Sequence, residues 1–227
     1  MPALGSEMTQ HAIVVAGGHH PPRSLARYLP HYDLVVAADS GLDVALALGL
    51  VVTHVVGDMD SVDPQALAQA ETAGAVVQRV PHNKDQVDTE LAVLFARTLG
   101  ASTITLITAG GGRLDHQLGV MSALTHPVLA GCEVHALWDT ARVRVLNGPE
   151  SATITGKVGS LVGLVAMNGA ALGITTSNLR WPLADEHLEA HSTRGVSNEM
   201  TNEHATVSLR AGSLFVIQPH AHTEDSQ

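Results

Sequence analysis

Cysteine and aromatic residues are scarce in this sequence. Cys132 is the only cysteine among 227 residues, which excludes a disulfide framework and is typical of proteins from a reducing compartment. Aromatic residues make up 3% of the chain, against 45% for all hydrophobic residues. A chain of this size can bury a substantial core, and that core must be built from Val, Leu, Ile and Ala.

Positive charge and long apolar runs are also lacking. The chain has 12 Lys and Arg against 22 Asp and Glu, for a formal net charge of −10, so nucleic acid is not expected as a partner. No apolar run reaches the roughly 18–20 residues of a membrane-spanning helix. The opening segment MPALGSEMTQ lacks the basic and apolar parts of a secretory signal. We expect a soluble, cytoplasmic protein without a membrane partner.

Several common motifs for nucleotides and metals are missing. The sequence has no G-x-x-x-x-G-K-[ST], which excludes a P-loop, and no G-x-G-x-x-G after its first predicted strand, which disfavours a dinucleotide-dependent dehydrogenase. The 14 histidines form no HExxH or Cys/His zinc spacing. Any phosphate or metal site must therefore be built from other residues.

The first 140 or so residues alternate between short apolar runs and helix-like stretches. Near-continuous apolar strands between helices predict a mostly parallel sheet with helices on both faces. One predicted helix starts at Pro64 and stops at Gly74, the usual asymmetry of helix ends. The predicted strands cover 11–18, 33–39, 53–58, 75–80, 102–110 and 132–139, and the predicted helices cover 42–50, 64–74, 88–100 and 114–125.

The pattern changes after residue 140, where short apolar runs are separated by Gly, Asn, Pro and Ser. Such runs predict a small antiparallel β-sandwich or barrel. Two of them, 160–169 and 172–178, read as separate strands. We therefore predict an α/β domain over 1–140 and a β-sandwich domain over 141–227, packed together without a flexible linker. The polar segment at 222–227 is predicted to be disordered.

Carboxylates follow several predicted strands at the point where each strand ends. In open α/β sheets, ligands bind beyond the carboxyl ends of the strands, so these side chains are expected to share one cleft. Gathering them there is costly without a cation, and Mg²⁺ prefers oxygen ligands of this kind. The residues concerned are Asp39, Asp58, Asp60, Asp85, Asp88 and Asp115.

Each of these carboxylates also has a purely structural interpretation. Asp88 and Asp115 could cap the helices that follow them. Asp85 could be a solvated turn residue, and Asp39 and Asp58 could end their strands by accepting hydrogen bonds from local amides.

A glycine run offers a place for phosphate. Gly110, Gly111 and Gly112 lead into a predicted helix, and bare amides at a helix start can hold phosphate oxygens. Arg113 and Lys84 are the candidate cations for phosphate in a chain that has few of them.

The motifs AADSG, GDMDS, KDQVDTE and GGRLDH, followed by LRWPL and GVSNE, resemble those of the thiamine pyrophosphokinase (thiamine diphosphokinase) family. The resemblance covers about residues 11–218. It implies an α/β ATP-binding catalytic domain and a thiamine-binding β-sandwich in a homodimer. It also implies Mg²⁺-dependent transfer of the pyrophosphoryl group of ATP to the hydroxyl of thiamine, giving thiamine diphosphate and AMP.

The resemblance also implies roles for individual residues. It places Asp58, Asp60, Asp85, Asp88 and Asp115 in the catalytic cleft, with the first four as metal ligands. It assigns ATP and its phosphates to Asp39, Lys84, Gly111, Gly112 and Arg113. It assigns thiamine to Trp181 by stacking and to Ser197 and Asn198 by hydrogen bonds. Trp181 could instead be a packing residue beside Pro182, and Ser197-Asn198 a turn.

Three positions depart from the family pattern. Ser40 and Asp43 stand where the family usually has glycine and asparagine, and Val87 stands where many bacterial members have threonine. None of these departures removes a carboxylate. Either Asp85 or Asp115 could serve as the base that accepts the proton of the thiamine hydroxyl.

Other functions stay open from the sequence. One alternative is a pyrophosphokinase for another alcohol, such as a hydroxymethylpterin, which the β-domain motifs disfavour. Another is a non-catalytic sensor of nucleotide or thiamine, which the full set of carboxylates disfavours. A metal-dependent phosphohydrolase would need a water-activating arrangement that the sequence does not show.

Overall fold

The computed structural model describes residues 10–222, in which thirteen strands form one sheet. Except for His222, the segment predicted to be disordered lies outside the described residues. In the first part of the chain the strands are β1 (Gln10–Val15), β2 (Leu34–Ala38), β3 (His54–Gly57), β4 (Val76–Arg79), β5 (Ala101–Thr108) and β6 (Glu133–Trp138). The α-helices are α1 (Gly41–Ala47), α2 (Pro64–Thr72), α3 (Asp88–Thr98) and α4 (Leu114–Ala123), and 3₁₀ turns lie at Arg23–Tyr28 and Pro127–Leu129.

The first six strands lie in the order β4-β3-β2-β1-β5-β6 and pair in parallel. All their carboxyl ends therefore share one edge of the sheet. The chain moves outward from β1 on one side to β2, β3 and β4, and then crosses back to β5 on the other side. The strand order therefore reverses between the neighbouring strands β1 and β5. Ligands usually bind at the carboxyl ends of such a pair of strands.

Side chains of β1 alternate between two cores. Ala12 and Val14 pack with α3 and α4 on one face, while Ile13 and Val15 pack with α1 and α2 on the other. These four side chains of β1 are fully buried. The prediction of a mostly parallel sheet with helices on both faces is confirmed.

The second part of the chain is antiparallel. Its strands are β7 (Ala141–Asn147), β8 (Glu150–Thr155), β9 (Leu161–Ser177), β10 (Glu186–Leu188), β11 (Asn198–Glu199), β12 (His204–Leu209) and β13 (Ala211–Gln218). They continue the sheet in the order β7-β13-β9-β12-β8, with β10 and β11 also paired to β9. The predicted antiparallel C-terminal region is confirmed, while the domain boundary at residue 140 stays a prediction.

Strand β9 differs from expectation, because the two predicted strands are one. Its first part, 163–167, pairs with β13, and its last part, 175–177, pairs with β12. Between them Asn168 and Gly169 have φ of 57° and 141°, which redirects the strand without ending it. Residues from both parts of β9, including Leu164 and Ile174, enclose a third core.

None of the helices in the part of the chain that the structure describes is long and apolar enough to cross a membrane.

Gly41 and Gly119 allow the packing of α1 to be tested. A Cβ at Gly41 would lie 2.1 Å from the carbonyl oxygen of Val15 at the end of β1, whereas a Cβ at Gly119 within α4 would meet nothing within 4 Å. Gly41→Ala is expected to lower the free energy of unfolding by about 1–3 kcal/mol, because the backbone must move. Gly119→Ala should raise it by about 0.5–1 kcal/mol through helix propensity.

Urea unfolding followed by circular dichroism would measure both changes. Equal stabilities for the two alanine variants would contradict the close approach of α1 to β1.

Candidate functional site

A cavity of about 600 Å³ opens at the carboxyl ends of β1 and β5. It lies where the strand order reverses, as the topology requires. Residues that follow β1 and the end of β2 line it, together with the loops before α3 and α4. Its polar and glycine lining consists of Gly17, Gly18, His19, Asp39, Ser40, His82, Lys84, Gln86, Asp88, Thr89, Thr108, Gly110, Gly111, Gly112, Arg113, His116 and Gln117.

The glycine turn after β5 bends back over the cavity. Gly110, Gly111 and Gly112 have φ of 64°, 74° and 68°, a region that favours glycine. A Cβ at Gly110 would lie 3.0 Å from Nε1 of Trp138, and one at Gly111 would lie 3.2 Å from Nδ1 of His19. The turn therefore packs closely and leaves backbone amides at the cavity, a suitable surface for phosphate oxygens.

Ser40 is accommodated by a glycine in the neighbouring loop. A Cβ at Gly17 would lie 2.2 Å from the Oγ of Ser40, so the absence of a side chain at Gly17 makes room for the hydroxyl. The departure from the family pattern at position 40 is thus compatible with the close packing of the two loops after β1 and β2.

Lys84 ties together two of the predicted carboxylates. Its Nζ lies 3.2 Å from Oδ2 of Asp58 and 3.0 Å from Oδ1 of Asp88, and its side chain is only 13% exposed. Burial alone would lower the pKa of Lys84, but the hydrogen bonds to Asp88 and Asp58 outweigh it and raise that pKa. Lys84 therefore stays charged and partly neutralises the cleft.

Asp58 and Asp60 lie on the same side of a tight turn. Met59 between them has a φ of 65°, an uncommon value for a residue with a side chain. The amide of Asp60 donates to Oδ1 of Asp58 over 3.2 Å. This bond, with further help from Lys84 and His82, lowers the pKa of Asp58 to about 2. The turn brings both carboxylates within 3.3 Å of Nδ1 of His82.

His82 completes a group of possible metal ligands that sequence reasoning missed. Its Nδ1 lies 2.9 Å from Oδ2 of Asp58 and 3.3 Å from Oδ2 of Asp60. One ligand atom from each of these residues lies within 4.8 Å of the other two. Two carboxylates and an imidazole at this spacing can hold a divalent cation.

Asp39 is buried beside this group. It is 8% exposed, and its Oδ1 lacks a hydrogen-bond partner among the described residues. Burial raises the pKa of Asp39, and the charges of Asp88 and Asp60 act in the same direction. A Cβ at Gly57 would lie 3.0 Å from Cβ of Asp39 and 3.1 Å from Oδ1 of Asp88. Gly57 therefore lets these carboxylates approach, and an unpartnered buried oxygen here suits a nearby cation.

Two predicted carboxylates lie apart from this group. Asp85 is exposed and is not among the described residues that line the cavity. Asp115 has a side chain that is 68% exposed and pairs with Arg113 over 2.7 Å. Arg113 lowers the pKa of Asp115 to about 2, which makes this carboxylate a weak proton acceptor. Arg113 itself lines the cavity.

The residues predicted to contact thiamine surround a second cavity of about 650 Å³. Trp181 is 54% exposed, and the guanidinium carbon of Arg180 lies 5.0 Å from the centre of its ring. Ser197 lines the same cavity and has a φ of 62°. A large exposed ring beside a cavity suits stacking on a flat ligand.

Asn198 has a structural task in this cavity. It is 5% exposed, and its Oδ1 accepts a hydrogen bond from the amide of Trp181 over 3.1 Å. Its Nδ2 donates to the carbonyl oxygen of Trp181 over 2.8 Å. Asn198 thus holds the backbone that presents the indole ring.

The two cavities share no residue among those that line them. Sequence reasoning also missed Gly17, Gly18 and His19, although the rule used for the other strands applies equally to β1, which is followed by these glycines. Trp138 at the end of β6 could have been found by the same rule.

Two family models match most of the chain. Residues 25–136 match the thiamin pyrophosphokinase catalytic domain, and residues 151–214 match the thiamin pyrophosphokinase vitamin B1 binding domain.

Curated relatives agree with these matches. The chain is 24% identical to a thiamine pyrophosphokinase of Bacillus subtilis over 209 residues, covering 90% of this chain and 96% of that protein. It is 27% identical to a thiamine pyrophosphokinase 1 of Arabidopsis thaliana, covering 71% of this chain and 63% of that protein.

Solved structures share the fold. The crystal structure of thiamine pyrophosphokinase from Bacillus subtilis has a TM-score of 0.78 at 25% identity, covering 92% of this chain and 98% of that one. The enzyme from Candida albicans, at 15% identity, has a TM-score of 0.74 over 93% of this chain and 90% of that one. The resemblance seen in the motifs is confirmed: the chain belongs to the thiamin pyrophosphokinase family and carries both its catalytic domain and its vitamin B1 binding domain.

Proposed function

We propose that this chain is a Mg²⁺-dependent thiamine pyrophosphokinase. It transfers the pyrophosphoryl group of ATP to the hydroxyl of thiamine, giving AMP and thiamine diphosphate. The main support is the cluster of Asp58, Asp60, Asp88 and Lys84 beside a glycine-lined cavity. Transfer of this kind depends mostly on positioning and charge neutralisation, and this cluster offers both.

The phosphates of ATP lie against the glycine turn. The amides of Gly111 and Gly112 and the guanidinium of Arg113 hold phosphate oxygens there. Arg113 is 79% exposed and bound to Asp115, so it can turn towards a phosphate at modest cost. Lys84 lies deeper in the cavity and balances charge near the reacting phosphorus.

Asp58 and Asp60 are the first metal ligands, and Asp88 is the next. Asp39 is buried and approaches Gly57 together with Asp88. The fit rests on the buried Oδ1 of Asp39, which no described residue hydrogen-bonds, and on the close approach of the ligand atoms of Asp58, Asp60 and His82. When bound, Mg²⁺ neutralises charge on the transferred phosphates. Asp85 stays a predicted fourth ligand. Its side chain is exposed, so it is free to turn towards a bound metal.

Thiamine binds in the second cavity. Its thiazolium ring is cationic, and an exposed indole face such as that of Trp181 attracts a cation. Ser197 provides a hydroxyl for its aminopyrimidine ring, while Asn198 positions Trp181.

The active assembly is a homodimer in the cytoplasm. The cavities for phosphate and for thiamine share no lining residue within one chain, which supports an arrangement in which a partner chain brings its thiamine cavity to the metal cluster. The buried, unpaired Cys132 fits a reducing compartment.

Asp58→Asn is expected to lower AMP formation about 100-fold or more. The substitution removes the charge of Asp58, which is both a proposed metal ligand and a partner of Lys84. The matched control is Asp43→Asn, which makes the same charge change on α1 outside the cavity lining and should keep near-normal activity. AMP and thiamine diphosphate would be measured by chromatography and mass. Near-normal activity of Asp58→Asn would rule out the proposed metal site.

Trp181→Ala should raise the KM for thiamine about 5- to 30-fold, because the stacking face for the cation is lost. The KM for ATP should change far less. Trp181→Phe keeps an aromatic face and should retain most of the affinity for thiamine. Equal increases in both KM values would indicate that Trp181 acts through the fold.

Turnover by the wild-type chain with another alcohol but not with thiamine would favour the alternative pyrophosphokinase.

Mixed dimers test the assembly. A dimer of one Asp58→Asn chain and one Trp181→Ala chain, isolated with two different tags, contains one site with both defects and one intact site if each site spans two chains. Its activity at low thiamine should be about half that of the wild type. If each chain holds a whole site, the mixed dimer will be nearly inactive under the same conditions.

A further inference from the structure

His82 is an exposed residue whose ring lies against two metal-binding candidates. Its side chain is 79% exposed, so packing in a core does not determine where the ring lies. Its Nδ1 is nevertheless within 2.9 Å of Asp58 and 3.3 Å of Asp60. The imidazole thus has a specific contact with the carboxylates and little other structural role.

His82 lies outside every motif that carries the family resemblance. It precedes the KDQVDTE motif, which starts at Lys84. The motifs by themselves therefore assign no role to His82. The ring lines the nucleotide cavity and reaches it from the loop between β4 and α3, opposite the turn that holds the two aspartates.

We infer that His82 is a nitrogen ligand of the divalent cation held by Asp58 and Asp60, and that it shifts the preference of this site from Mg²⁺ towards Mn²⁺ and Co²⁺. The inference rests on the metal site of the proposed function. Mg²⁺ takes oxygen ligands, whereas imidazole suits transition metals, for which affinity rises from Mn²⁺ towards Cu²⁺.

A second observation supports a cation at this position. Asp39 is 8% exposed, and its buried Oδ1 has no hydrogen-bond partner among the described residues. Asp39 lines the same cavity as His82 and interacts electrostatically with both Asp88 and Asp60. Among the described residues, Lys84 is the lysine or arginine that ion-pairs with Asp58 and Asp88, so negative charge remains for a divalent ion. The Nδ1 of His82 lies close enough to the carboxylates of Asp58 and Asp60 for all three residues to reach one ion.

The first measurement uses Mn²⁺ binding rather than activity. Mn²⁺ and Mg²⁺ would be titrated into the full-length chain, alone and with α,β-methylene-ATP, whose replaced bridge blocks transfer. Calorimetry and the loss of the free Mn²⁺ electron paramagnetic resonance signal give the affinities. Wild type should bind Mn²⁺ about tenfold more tightly than Mg²⁺. His82→Gln should lose most of that difference and keep its Mg²⁺ affinity within about threefold.

His187→Gln is the matched control, since His187 is also an exposed histidine near a carboxylate, with its Nε2 3.8 Å from Glu189. This variant should bind both ions like the wild type. Electron spin-echo modulation from a directly bound nitrogen should be present on Mn²⁺ in the wild type and in His187→Gln, and absent in His82→Gln.

The outcomes separate this inference from the proposed function. If Asp58→Asn abolishes Mn²⁺ binding while His82→Gln changes neither the Mn²⁺/Mg²⁺ ratio nor the nitrogen signal, the metal site stands and His82 is not a ligand. If Asp58→Asn leaves Mn²⁺ binding intact, the metal site itself is wrong. No Mn²⁺ binding by the wild type, with or without the nucleotide analogue, would overturn both.

Discussion

Repulsion between carboxylates at one edge of the sheet is the constraint on which the site depends. Six parallel strands bring their carboxyl ends to the same edge, and aspartates follow β2 and β3 there. Lys84 relieves part of this repulsion by bridging Asp58 and Asp88. Asp39 remains buried, and one of its oxygens has no hydrogen-bond partner within residues 10–222. Holding these carboxylates close together costs folding free energy. The same arrangement attracts cations, and an enzyme that transfers pyrophosphate requires cations to neutralise the phosphates.

Glycines make this concentration of charge possible. Gly57 admits Asp39 and Asp88 to the same small volume, and Gly17 makes room for the hydroxyl of Ser40. The glycine turn after β5 has positive φ at three successive residues and lines the same cavity. The cavity lining therefore combines carboxylates with a run of glycines.

Most of the α/β part could be predicted from the sequence. Its strands are apolar runs with clear ends, and helices such as α2 have Pro and Gly at their boundaries. Strand β9 could not be predicted as one element, because Asn168 and Gly169 read as the end of a strand although they only bend it. Strands as short as β11 have too few residues to show any alternation.

The site was predictable where it follows from topology and less so where it follows from loops. Asp39, Asp58, Asp60 and Asp88 come together because parallel strands end at one edge. Asp115 instead meets Arg113 through local geometry, and Asp85 faces solvent within the loop. His82 belongs to no motif, and only the folded loop brings it to the carboxylates. Asn198 was expected to contact ligand, but its amide is engaged with the backbone of Trp181.

The pairing of β6 with β7 has a mechanical consequence. These strands connect the parallel and antiparallel parts through a turn at Asp139 and Thr140. Thr140 is anchored from the far end of the chain, since its hydroxyl donates to Pro219 over 3.0 Å and its carbonyl oxygen accepts from the amide of His222 over 3.1 Å. A continuous β-ladder anchored in this way resists bending between the parallel and antiparallel parts. Rotation of the parallel part against the antiparallel part would have to break hydrogen bonds of this ladder, so access to the cavities depends on the loops that border them.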